Sequence, residues 1–217
     1  QGARVIDINV GCPAKKVVNG YSGSALMRDL NHALSLIEAV VSAVDVPVTL
    51  KTRLGWDDTL MNAPELAQRA EAAGIKLIVI HGRTRCQFYK GHADWATINR
   101  VKQSVSIPVI ANGDIVYSDH AHRAMAQSGA DGVMVGRGAQ GRPWAIAEIA
   151  HSLTGSPMPL IPKGADLMDM IAGHYDAILG FYGTTLGVRV ARKHLGWYMD
   201  EAGTERQMRR AILTAHD

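Results

Sequence analysis

Apolar and polar positions follow two different rhythms along the first 155 residues, and the switch between them repeats. Short, β-branched runs at Val5–Val10, Pro47–Lys51, Leu77–His81, Val109–Asn112 and Gly132–Val135 read as buried strands. Between them apolar residues return every three or four positions, near His32–Val44, Ala63–Ala73, Trp95–Gln103 and Asp119–Gln127, and again near Ala145–Ser152. That is the period of amphipathic helices. Asp45-Val46-Pro47, Gly74-Ile75 and Ile107-Pro108 stand where three of the helices must end, because Gly and Pro stop a helix and release the next strand. Strand and helix alternate through five units, which predicts an α/β fold around a parallel sheet.

The residues with chemical character sit just after the strands, as they do on the C-terminal rim of a (β/α)8 TIM barrel. The expected fold is therefore such a barrel with only strands 4–8 present, followed by a small all-helical domain. An open doubly wound sheet is the alternative. Five strands do not close a barrel, and Gln1 stands a few positions before a strand, so roughly three units of about 30 residues each are expected to precede it. Residues 1–155 then form the last five βα units. Residues 156–164, rich in proline, form a linker. Residues 165–217 form the helical domain, with helices near Asp166–Gly180, Thr185–Ala202 and Glu205–Ala215, the last continuing past Asp217.

Composition narrows the class. At 47% hydrophobic and 20% charged the chain is an ordinary soluble α/β protein, and no apolar run approaches a membrane span of about 18 residues. A cytoplasmic location is expected. Cys12 and Cys86 make neither a disulfide framework nor a zinc spacing, so no metal is expected. The net charge of +3 is small, but its distribution matters more. From Ser156 onward seven Lys/Arg face seven Asp/Glu, so the surplus lies upstream. Lys15, Lys16, Arg28, Arg53, Arg83, Arg85, Arg137 and Arg142 fall on loops after strands, against Asp57, Asp58 and Asp114. A locally basic rim suits phosphates.

The most informative stretch is Asp7-Ile-Asn-Val-Gly-Cys-Pro-Ala-Lys-Lys-Val, running on to Gly23-Ser-Ala-Leu-Met27. The strand ends at Val10, Gly11 permits a sharp turn and Pro13 stiffens the chain, so the Cys12 thiol faces the rim. A lone cysteine is by default a buried packing residue. Glycine and proline on its two sides favour an active-site loop instead. Lys51 and His81 end their strands and point to the same rim, although each reads equally as a solvated or packing residue. Arg53 shares the parity of Lys51. Asn112-Gly113-Asp114 and Gly136-Arg137 follow the last two strands, where barrels bind phosphate with glycine turns and arginine. Arg189, Arg192 and Lys193 share one helix face. Trp197-Tyr198 reads as core.

These residues resemble the tRNA-dihydrouridine synthase family, whose loop Asn-x-Gly-Cys-Pro is matched by Asn9, Gly11, Cys12 and Pro13. The bacterial B-type branch is the nearer likeness. It extends through Leu50-Lys-Thr-Arg-Leu-Gly-Trp56, His81-Gly-Arg-Thr-Arg85, Asn112-Gly-Asp114, Gly136-Arg137 and Arg189-x-x-Arg192-Lys193-His194. The resemblance implies FMN as cofactor, NADPH or NADH as reductant, and reduction of a uridine double bond in tRNA with Cys12 as proton donor. Ordinary thiols, with a pKa of about 8.5, are mostly protonated at pH 7 yet release the proton readily. Cofactor contacts are implied for Lys51, His81, Asn112, Gly113, Asp114, Gly136 and Arg137. Substrate contacts are implied for Asn9, Lys15, Arg53, Arg83, Arg85, Arg189, Arg192 and Lys193. The uridine must leave its stack to reach the site. No membrane and no obligate protein partner are expected, and the protein is expected to be a monomer. Two rivals stand beside this reading: an FMN dehydrogenase of a small pyrimidine, and a tRNA-binding module without redox function. The helical extension, with Arg189, Arg192 and Lys193 on one face, argues against the first.

Overall fold

In the computed structural model, residues 2–215 are described. Five parallel strands, β1 (Ile6–Asn9), β2 (Val48–Arg53), β3 (Ile78–His81), β4 (Val109–Asn112) and β5 (Gly132–Met134), lie in the order β1-β2-β3-β4-β5. Each of the five expected strands is present, with ends shifted by at most two residues. A sheet whose order never reverses is not doubly wound. Right-handed crossovers between sequential neighbours carry every connecting helix to the same face. Among the described residues β1 and β5 are the two edges, so closure into an eight-stranded barrel remains a proposal.

The connecting helices are α2 (Leu30–Ala43), α3 (Ala63–Ala72), α4 (Trp95–Lys102) and α5 (Ser118–Ser128), close to the periodicity-based ranges. Asp29 caps α2 through Asn31 and His32 N–H, and Asp94 caps α4 through Thr97 N–H, which satisfies donors the first turn leaves open. α5 ends on Gly129, whose φ of 63° no β-carbon favours. Two short pieces escape a hydrophobic-period reading: the single turn α1 (Lys15–Val18) and a 3-10 turn over Gly23–Arg28. Both lie between β1 and α2 and fold the cysteine loop back on itself.

Register decides what each sheet face carries. Ile6 and Ile8 pair with Val48 and Leu50, Leu50 and Thr52 with Ile78 and Ile80, and these with Val109 and Ala111. That face is apolar and, with Ala33, Ile37, Leu66, Ala70, Ile98, Val101 and Ala124 of the helices, supplies the buried core. The other face carries Asp7, Asn9, Thr49, Lys51, Arg53, His81 and Asn112 in matched register. One sheet thus has a packed side and a chemical side.

The contacts divide the chain at Gly136/Arg137, not in the proline-rich stretch. The expected boundary lies in that stretch, at residues 156–164. The second unit includes α6 (Ala145–Thr154) with α7 (Gly164–Glu201) and α8 (Arg206–Thr214). The reason is local. Gly141, at φ 72°, lies so close to the Trp197 backbone that a β-carbon has no room. Arg142 pairs with Glu148 at 2.8 Å and Glu201 at 3.1 Å, tying the start of this unit to its long helix. Residues 155–163 are without helix or strand, as a linker is, but they run inside this unit. α7 breaks at Gly183, φ 73°, close to the gap expected between two helices. The expected continuation past Asp217 lies outside the described residues. No helix among them is long and apolar enough to cross a membrane.

Leu50 is fully buried on the apolar face. Leu50→Ala should lower the unfolding free energy by about 3 kcal/mol through lost transfer energy and a residual cavity. Urea titration followed by circular dichroism checks this, and a loss under about 1 kcal/mol would place the core elsewhere.

Candidate active site

All the strands run parallel, so the loops after β1 to β5 share one end of the sheet. The Cys12 loop and the Asn112-Gly113-Asp114 turn are therefore on the same end, as convergence on one ligand requires. Asn9 neighbours Lys51, and Arg53, His81 and Asn112 form the last row, all on the polar face.

The Cys12 loop is held from its backbone. Asn9 Oδ1 accepts from Gly11 N–H at 2.9 Å, turning the chain immediately after β1. Gly11 lies against the Thr52 backbone, where an added β-carbon would sit at 3.2 Å. Ser24 donates to the Cys12 carbonyl from its N–H at 3.0 Å and its hydroxyl at 2.7 Å. Gly23 permits this approach, since a β-carbon there would fall 2.7 Å from the same carbonyl. Both Ser24 bonds go to the Cys12 main-chain carbonyl. The thiol, half-buried, is left to the loop's surface. Ser24 is a functional support that residue type alone did not single out; its signal was the Gly-Ser pair twelve residues after the thiol.

Two arginines behave differently from the sequence expectation. Arg53 is 2% exposed, and it donates from Nε to Gly11 O at 2.8 Å and from Nη1 to Thr84 O at 3.0 Å and Phe88 O at 2.9 Å. Arg83 is 1% exposed and forms a two-pronged bond to Asp114, at 2.9 and 2.6 Å, besides donating to Lys90 O and Gly91 O. Both were expected to contact substrate; here their donors meet main-chain carbonyls and the Asp114 carboxylate. Fixed charges and engaged donors under the surface brace loops instead. The Asp114 carboxylate also accepts from Ala93 N–H at 2.7 Å, which ties the β4 turn to the β3 loop.

Gly113 and Asp114 take φ of 114° and 56°. Any β-carbon at Gly113 would meet the His81 ring at 2.7 Å, so the turn packs flat on that imidazole. Asn112 donates from its amide to Met134 O at 2.8 Å. His81 is therefore enclosed. Burial, then the charges of Arg53, Lys51 and Arg83, depress its pKa to about 3, against which Asp114 acts weakly. It is a neutral imidazole at pH 7. Arg83 Nη1 lies 3.4 Å from His81 Nε2. Burial and the neighbouring Arg53 also lower the pKa of Lys51, Asp7 opposing them. The last row is thus crowded with positive charge, an arrangement suited to an anionic or electron-rich ligand.

Elsewhere the expected site residues lie as follows. Lys15 is exposed on α1, and Arg85 stacks over Trp56. Gly136 ends the first unit with open space around it and without a positive φ, so no turn there demands glycine. Arg137 opens the second unit, exposed. Arg189 and Lys193 are exposed on α7, while Arg192 donates to Ala215 O at 2.8 Å and fastens α8. Tyr198, read as core, is buried and bonds His174 at 3.1 Å.

The dihydrouridine synthase family model matches residues 1–217. The chain belongs to the dihydrouridine synthase family. It is 61% identical over 216 residues to a probable tRNA-dihydrouridine synthase of Rhodobacter capsulatus, covering 100% of this chain and 66% of that protein. A probable tRNA-dihydrouridine synthase of Rickettsia conorii is 53% identical, with 100% and 65% covered. The tRNA-dihydrouridine synthase B of Xanthomonas campestris is 53% identical over 198 residues, with 91% and 59% covered. The chain spans about two thirds of the length of these relatives. Among solved structures, a 2,3-dimethylmalate lyase aligns over 98% of this chain at 16% identity and a TM-score of 0.48.

The His81 environment sets a pH dependence. The unfolded chain takes up this proton below about pH 6.5 and the folded one only near 3, so the stability it contributes is complete above 6.5 and declines as pH falls. The slope it adds approaches roughly 1.4 kcal/mol per pH unit below 6. His81→Gln should flatten the profile of unfolding free energy between pH 6.5 and 5, and parallel profiles for the two proteins would show that the imidazole titrates normally.

Proposed function

We propose that this chain forms the catalytic face and part of the tRNA-binding surface of a tRNA-dihydrouridine synthase, which reduces the C5–C6 double bond of a uridine in tRNA. FMN is the cofactor and NADPH or NADH the reductant. The observation that carries the reading is the half-buried Cys12 on the same strand-end rim as the cationic Lys51 and Arg53 and the neutral His81, within a chain matched end to end by the family.

The residues fit a flavin by the chemistry of their donor set. Lys51, half-buried beside Arg53, gains most from a neighbour that accumulates negative charge, as a reduced isoalloxazine does. Neutral His81 adds a polar contact without a second proton to lose, and the Asn112-Gly113 turn that packs on it limits where a ring can lie. Gly136 marks the strand end where a phosphate is expected. When bound, reduced FMN supplies a hydride to one carbon of the uracil double bond.

The chain's own residues then complete the addition. The Cys12 thiol gives its proton to the neighbouring carbon, leaving a thiolate that solvent reprotonates before the next turnover. Ser24 and Asn9 keep the loop from drifting by bonding main-chain atoms only, so the sulfur stays unencumbered. Arg53 carries a positive charge close to the thiol and stabilises the anion left behind. Lys15, Arg189 and Lys193 supply exposed cations for the RNA backbone, and Arg85 a half-buried one.

Cys12→Ala should abolish dihydrouridine in tRNA, a loss of at least about a hundredfold for removal of a general acid, while the protein stays yellow and folded. Dihydrouridine mapping in tRNA from cells carrying only this variant tests it. Unchanged dihydrouridine would remove Cys12 from the chemistry, and a colourless wild-type protein would remove the flavin.

A further inference from the structure

The loops after β1, β2 and β3 each lend one residue to a cluster that proton transfer at Cys12 does not use. Arg28 closes the 3-10 turn, Trp56 follows β2 and Arg85 follows β3. The guanidinium of Arg28 lies 4.4 Å from the Trp56 ring centroid, and that of Arg85 lies 4.7 Å from it. Arg28 also reaches the Tyr21 ring at 5.9 Å, and Arg85 the Phe88 ring at 5.4 Å. Among the described residues neither arginine pairs with a carboxylate. Arg85 Nε is buried and meets no acceptor.

Energetics make this cluster unfinished. Cation–π attraction at a partly exposed indole contributes about 0.5–1 kcal/mol per arginine. A buried donor without a partner costs about 1–3 kcal/mol, and two guanidiniums gathered on one ring repel each other. An anion at the pair relieves both costs. The loops are also braced so that the pair is preset: Arg85 N–H donates to Gly55 O and Cys86 N–H to Trp56 O, each at 2.9 Å, and Asn62 donates to Met27 O, next to Arg28, at 2.8 Å. Little ordering remains to be done on binding.

The neighbours specify which anion. Arginine forks match the oxygens of a phosphodiester. Tyr21 is 73% exposed beside the pair, and Tyr89 is 53% exposed beside Arg53, so aromatic faces for unstacked bases border the cations. The 3-10 turn that ends in Arg28 is the one whose Ser24 holds the Cys12 carbonyl, which sets the cluster in the same loop system as the thiol.

We propose that Arg28, Trp56 and Arg85 form one RNA-backbone site, which takes the phosphodiesters of an unpaired strand flanking the nucleotide presented to Cys12. The site rests on the tRNA reading above and adds to it the residues that hold the strand. Trp56 is the platform that keeps both guanidiniums in place, and the arginines make the contacts.

Fluorescence anisotropy with a labelled, unmodified tRNA transcript over a salt series tests this for the wild type, Arg28→Gln and the Arg28→Gln/Arg85→Gln double variant, each checked by circular dichroism. The double variant should bind at least about tenfold more weakly at low salt, with a slope of log K against log salt shallower by ~1.4–1.8 for two lost phosphate contacts. Arg28→Gln, an exposed position that leaves the fold alone, should show about half of that change and decides the matter if the double variant misfolds. Slopes equal to wild type would overturn the site while leaving the tRNA reading intact. A wild type that binds no tRNA would overturn both.

Discussion

Two buried guanidiniums organise the rim on which everything else depends. Arg53 gathers the carbonyls of Gly11, Thr84 and Phe88, and Arg83 gathers those of Lys90 and Gly91 together with the carboxylate of Asp114. Loop backbone cannot satisfy itself as strands do, and a buried carbonyl without a donor costs stability. Arginine, with several donors on one rigid plane, can serve three loops at once. The β1, β2, β3 and β4 loops are thereby tied into one surface, and a thiol and an imidazole that begin on different strands acquire fixed positions.

The same choice fixes the electrostatics. Placing Arg53 and Arg83 beneath the surface beside His81, with the Asp114 carboxylate bonded to Arg83, leaves a net positive strand-end row. His81 responds by staying neutral, and Lys51 by losing part of its hold on its proton. Neither response is a property of the residue; each follows from burial next to like charge. The row is consequently suited to a negative partner, and Arg28 and Arg85 over Trp56 gather a second pair of cations on the loops. Stability of the rim and affinity for anions come from one arrangement.

The identity of the family was legible because its loop residues are contiguous: Asn9, Gly11, Cys12 and Pro13 sit together, and six such stretches fall in order along the chain. Strand and helix positions were legible too, since parallel strands packed on helices must be apolar on one side and helices must repeat near 3.6. What local pattern does not distinguish is the environment of each arginine. A sequence presents Arg53, Arg83 and Arg85 as equivalent charges on loops, yet the first two are buried braces and the third stacks on an indole. The ion pair of Asp114 is hidden for the same reason, because its arginine is 31 residues away. The boundary at Gly136 escaped as well, hidden by a proline-rich stretch that looks more like a border than the close glycine approach at Gly141.

By itself the sequence determined the order of elements, the residue types available to the rim and the cysteine in the loop after β1, for these depend on local periodicity and on neighbours along the chain. Tertiary structure alone decided which face of the sheet is chemical, which cations are spent on holding loops and which remain for ligands. Those outcomes turn on register and on hydrogen bonds between residues 31 to 42 positions apart, and no local pattern encodes a partner at that distance.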